Sequence, residues 1–130
     1  MTDKYDGPER RRSKRIRADF IVIYRVNHPI EILMWVGSKE ITAKMLDLSD
    51  AGMAIATNYD IPGSAILLIK FTLINFSASV DERVRSMVIE GEVKYNTSIG
   101  KNEYRLGVSF TNIAKEDQDA IANFVKTAIL

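Results

Sequence analysis

Two groups of residues in this chain are of the types and spacing that do chemistry. Arg11 and Arg15 stand at R-x-x-x-R spacing in the run Glu9-Arg-Arg-Arg-Ser-Lys-Arg-Ile-Arg17, with Arg10 just ahead of them. A guanidinium is a planar fork of donors. It pairs with phosphate oxygens and with the O6 and N7 edge of guanine, and it stacks on a base. The second group is Asp47-Leu-Ser-Asp-Ala-Gly52, set between the apolar runs 41–46 and 53–56. Asp47 offers a carboxylate, Ser49 a hydroxyl, and Gly52 either a left-handed backbone or a close approach by a ligand. Alone, the second group is an Asx-type turn closed by glycine, and the first is a solvated charge run that keeps a strand edge soluble. Together they suit a compact anion that also carries a hydrogen-bonding base.

In order and spacing the two groups resemble the signature of the PilZ domain, the bacterial receptor module for cyclic di-GMP. That signature is R-x-x-x-R near the start and (D/N)-x-S-x-x-G some tens of residues later. Here it reads Arg11-Arg-Ser-Lys-Arg15 and Asp47-Leu-Ser-Asp-Ala-Gly52. The resemblance continues through Arg105-Leu-Gly-Val-Ser-Phe110, similar to the family's last barrel strand, and into a C-terminal amphipathic segment. It covers nearly the whole chain from Glu9.

The resemblance implies a β-dominated fold, a six-stranded antiparallel barrel with a C-terminal α-helix. The domain would span 9–130, with a tail at 1–8, a basic ligand-binding arm at 9–17, the barrel at 18–111 and the helix at 114–130. It also implies the ligand. Arg11 and Arg15 would hold the phosphates and the Hoogsteen edge of guanine, and Asp47 would accept from guanine N1–H and N2–H. Ser49 would add a hydroxyl contact and Gly52 would let the turn close on the ligand. Arg10, the residue before the first motif, would serve an intercalated pair of cyclic di-GMP molecules. Two such ligands bring four phosphates, more than Arg11 and Arg15 can neutralise.

Composition narrows the classes. At 130 residues the chain suits one domain with a proper core, and 46% hydrophobic with 27% charged residues is ordinary for a soluble globular protein. With 0 Cys, disulfides and thiolate zinc sites are unavailable, which fits a cytoplasmic protein. The single histidine, His28, sits beside Pro29 in a turn and reads as a surface residue; no metal-ligand spacing appears. No nucleophile elbow surrounds Ser49, so the chain does not read as an enzyme. No apolar run is long enough to cross a bilayer. The net charge of +1 conceals a basic arm on a mildly acidic body. That arrangement favours a small anion over nucleic acid, although a barrel binding RNA or single-stranded DNA through the arm is the alternative reading. Crowded like charge predicts that residues 1–17 stay loose until an anion neutralises them. The downstream protein partner is not written in the sequence.

The elements that must position these groups follow from periodicity. Ala18 to Val26 predicts a strand with Phe20, Val22, Tyr24 and Val26 on one face. Ile30 to Val36 predicts a further extended segment, with Trp35 as core or edge cover and Gly37-Ser38 as a hairpin turn. Strands are expected on both sides of the Asp47 turn, over Ala65 to Ile74, over Arg85 to Tyr95 with Met87, Ile89, Val93 and Tyr95 inward, and over the stretch with Tyr104, Leu106, Val108 and Phe110 inward. Asn96 to Asn102 reads as a loop. Ile121, Phe124, Val125, Ala128 and Ile129 recur at helical spacing, with Glu116 and Asp117 in the first turn.

Overall fold

Period-2 alternation builds the walls. In β2, Ile21–His28, the buried residues are Val22, Tyr24 and Val26. In β5, Ile66–Ile74, they are Leu67, Ile69, Phe71 and Leu73. In the first half of β6, Val84–Gly100, they are Met87, Ile89 and Val93. With β3 at Ile41–Leu48, β4 at Gly52–Thr57 and β7 at Glu103–Asn112, the antiparallel order is β3-β2-β5-β6-β7-β4. A further β3–β4 pairing closes the ring, so six strands form a barrel with no free edges. The structure, a computed structural model, describes residues 14–37 and 39–129.

The inward residues of all six strands meet in one core, with Tyr24, Met45, Met53, Ile55, Leu67, Ile69, Ile89 and Leu106 almost wholly buried. Tyr24 brings a hydroxyl into it and shares a 2.8 Å hydrogen bond with Thr57 Oγ1. Burial pushes the phenol from 10.0 up to about 12, with the Thr57 bond acting in the opposite direction. The C-terminal helix α2, Lys115–Ile129, packs over one mouth. Its Ile121 and Val125 enter the core, and Phe124 lies against Phe20 in a tilted pair with ring centroids 5.6 Å apart. Arg85 on β6 reaches Asp117 in its first turn at 2.7 Å.

A two-residue strand, β1 at Ile16–Arg17, continues the line of β2 along β3 after a break at 18–20. Ile16 lies opposite Leu48 and Arg17 opposite Asp47. The end of the basic arm is therefore part of the sheet, which corrects the expectation that looseness extends to Arg17. Residues 1–13, with Arg10, Arg11 and Arg12, lie outside the described residues, as does Ser38 of the expected hairpin turn.

Three other expectations are corrected. Ile30–Val36 is not extended but forms a helix, α1. Pro29 fits the entry to a helix, Glu31 lies in the first turn, and Gly37 takes φ 83 while donating its N–H to Leu33 O. Val36 is buried and Ile32 half-buried, a spacing of four that belongs to a helix. Trp35 is correspondingly 59% exposed rather than core. Strand β6 runs on through the expected loop to Gly100, paired with β7 as far as Gly100 opposite Glu103. Only Lys101 and Asn102 turn, with Asn102 left-handed at φ 55. This ribbon stands clear of the core, so burial imposes no alternation that the sequence could display. Finally, Tyr95 points outward, because a bulge between Val93 and Tyr95 shifts the register of β6 against β7.

Candidate functional site

The sequence places Asp47 at odd parity with Ile41, Ala43 and Met45, all of which face the core. Left unbroken, that alternation would bury the carboxylate. A bulge between Met45 and Asp47 reverses it: Met45 opposes Ile55, but Asp47 opposes Ala54, and Leu48 turns inward in its place. Asp47 thus emerges on the outer wall of the barrel, half-buried.

There it is held from three sides. Oδ1 accepts from Arg15 Nη1 at 2.8 Å and from the Ala54 N–H at 3.1 Å. Oδ2 accepts from Arg105 Nη2 at 2.8 Å. Two arginines from opposite ends of the chain therefore share one carboxylate, and their side chains remain about one-third exposed, at 27% and 35%. The pKa of Arg105 lies above its ordinary value because the Tyr95 phenol, and then Asp47, favour the cation. Charge-assisted bonds of this kind orient the forks without removing all their donors, since a guanidinium has five N–H groups.

The turn after Asp47 fixes that position. Ser49 is 0% exposed, and its Oγ accepts from the Ala51 and Gly52 N–H groups, each at 3.1 Å. It also donates to Gly52 O at 3.3 Å, beside the Ser49 N–H to Gly52 O bond at 2.9 Å. At Gly52 the chain passes β7 so closely that a Cβ would sit 2.3 Å from Val108 O. Helix α2 adds a clasp, with Gln118 Nε2 donating to Asp50 O at 3.1 Å.

The structure thus brings Arg15, Asp47, Ser49 and Gly52 together; Arg10 and Arg11 lie outside the described residues. It adds Arg105, which sequence reasoning placed only in the last strand. The outward parity of Arg105, between Tyr104 and the inward Leu106, was readable. Its alignment with Asp47 was not, because that depends on β7 pairing with β4 and on β4 in turn closing the barrel against β3. Among the described residues no group of His, Cys, Asp and Glu is placed to hold a metal ion. No helix among them is long and apolar enough to cross a membrane.

A closed six-stranded antiparallel barrel capped by one helix, with an arginine-clasped carboxylate beside a serine-glycine turn on its outer wall, defines the class of domain. Comparison with protein families matches the PilZ domain over residues 9–127, and the chain belongs to that family. A search of curated proteins finds no match. Among solved structures, the Bacillus subtilis inhibitor of motility MotI/DgrA is similar at 16% identity and a TM-score of 0.71, over 92% of this chain and 51% of that one. The PilZ domain of Escherichia coli YcgR, solved with c-di-GMP, is similar at 16% identity and 0.57, over 91% of this chain and 90% of that one. Borreliella burgdorferi PlzA, in complex with c-di-GMP, is similar at 17% and 0.58, over 92% of this chain and 42% of that one. The chain spans about half the length of MotI/DgrA and less of PlzA.

Proposed function

We propose that this domain is a receptor for cyclic di-GMP. The observation that carries the reading is the Asp47 carboxylate on the outer wall, gripped by Arg15 of the R-x-x-x-R motif and by Arg105. Two of the similar structures, of YcgR and PlzA, contain c-di-GMP, which supports the same ligand here. Asp47 gives up arginine partners to accept from guanine N1–H and N2–H, and this selects guanine over adenine. The released forks of Arg15 and Arg105, with Arg11, take the phosphates and the guanine Hoogsteen edge. Ser49 and Gly52 serve the site through the turn that aims Asp47. Arg10 supplies a further fork for a second, intercalated ligand. The domain acts as a cytoplasmic, non-enzymatic signalling protein: binding fixes the part of the arginine arm that precedes β1 against the barrel, and a protein partner reads the changed surface.

Calorimetric titration with cyclic di-GMP, GTP, GMP and a single-stranded oligonucleotide tests this. The expected result is saturation by cyclic di-GMP alone at two molecules per domain, falling toward one in Arg10→Leu with guanine selectivity intact. A ratio of one in the unmodified protein would overturn the pair. Affinity that grows with oligonucleotide length and falls steeply with salt would instead favour a nucleic-acid-binding barrel.

A further inference from the structure

The half of the barrel away from the Asp47 site is apolar on its outside as well as its inside. The site occupies β3, β4 and β7, and the ring order leaves β2, β5 and β6 for the opposite wall. There the residues that alternate with the core set are Ile21 and Ile23 on β2, Leu68 and Ile74 on β5, and Val84 and Val88 on β6. Ile21, Ile74, Val84 and Val88 are exposed, where the solvated face of an antiparallel sheet calls for polar residues. In consequence β5 reads as a nearly continuous apolar run, the pattern of a strand covered on both faces. Register makes the patch contiguous: Ile23 opposes Lys70, Lys70 opposes Val88, and Ile74 opposes Val84. The polar side chains among them are already partnered. Thr72 and Ser86 share a 3.0 Å hydrogen bond, and Lys70 pairs with Glu40. Across this wall runs an open groove of about 830 Å³. At its end the β5–β6 connection adds Phe76 and Val80, 78% and 75% exposed.

We propose that this wall is the interface of a two-fold dimer, its occupant a second copy of the same chain. Aliphatic side chains around internally satisfied hydroxyls give little hold to a charged ligand, and they pack well on a second sheet face. The charges at the ends of β2 select which face that is. Asp19 lines the groove at one end and Arg25 stands at the other. Both are exposed, and neither forms an ion pair with another described residue. A two-fold axis lying between the two sheets, across the strands at the level of Val22, brings Asp19 of each copy to Arg25 of the other. The same axis sets Ile21 against Ile23. Val22 opposes Phe71, so on β5 the axis crosses at Phe71 and sets Leu68 against Ile74. A wall that meets itself with apolar residues on apolar ones and each charge on its opposite is self-complementary, as an isologous interface requires. Both Asp47 sites face away from the contact, so each copy keeps its own open.

Sedimentation equilibrium of the full chain, without ligand, tests the interface. The unmodified protein should show a monomer–dimer equilibrium with dimer predominating at about 100 μM. Val88→Glu, which sets an acid into the apolar wall, should leave monomer alone. Asp19→Arg and Arg25→Asp should each weaken dimerisation at least about fivefold, because each sets like charges together at both ends of the contact. The double variant Asp19→Arg, Arg25→Asp restores opposite pairs and should return to within about twofold of the unmodified protein. That recovery also shows that the single variants fold. A monomeric unmodified protein at that concentration, or a dimer that Val88→Glu and the single charge variants leave intact, would overturn the proposal. Weakening by both single variants with no recovery in the double would overturn the two-fold pairing of Asp19 with Arg25.

Discussion

Asp47 occupies the centre of the candidate site because, among the described residues, it is the carboxylate that a guanidinium reaches from each direction along the outer wall. Arg15 arrives from the arm and Arg105 from the last strand. A carboxylate oriented by two guanidinium forks presents the acceptor oxygens that guanine N1–H and N2–H require. Inside the barrel, burial of Tyr24 favours its neutral form. Its folded pKa of about 12 exceeds the ordinary 10.0. The folded state therefore holds this proton more tightly than the unfolded chain, so the stabilisation is complete below pH 10 and lost as pH rises toward 12. The loss is about 2–3 kcal/mol by linkage. Denaturant titrations on either side of that window should show the fall in the unmodified protein and a shallower one in Tyr24→Phe. Identical slopes would remove Tyr24 from the account.

The elements show which parts of the site were legible in the sequence and which were not. Barrel strands, the C-terminal helix and the Asp47 turn could all be read, because one face of each is buried and burial imposes a period. The motif residues Arg15, Asp47, Ser49 and Gly52 lie together in the structure. Two bulges could not be read. Each inserts one residue, Leu46 or Lys94, that carries no mark of its own, and each moves a polar side chain, Asp47 or Tyr95, from core to surface. Helix α1 was missed because seven mostly apolar residues fit a short strand as well as two helical turns. Arg105 was missed because its partner lies 58 residues away across the barrel closure. Gly52 belongs to this scale, since it is required by the approach of two strands. Gly52→Ala should force β4 and β7 apart at Val108 O and cost about 1–3 kcal/mol, as overpacking does. A urea midpoint equal to that of the unmodified protein would show that the strands accommodate the methyl group.

As a whole, the molecule separates stability from recognition. The core, the C-terminal helix and the closed ring of strands hold the fold. Arg15, Arg105 and Asp47 stand on the outer wall, where their removal leaves the core packing untouched. A domain built this way can give up a ligand on that wall and keep its shape. The central claim is that the outer-wall carboxylate binds the second messenger. Its most direct test is calorimetric titration of cyclic di-GMP into the unmodified protein and into Asp47→Ala under the same conditions. Saturable binding to the first is predicted, with affinity for the second lower by at least about tenfold, the loss of charge-assisted hydrogen bonds worth about 1.5–3 kcal/mol. Equal affinity of the two proteins would contradict the account.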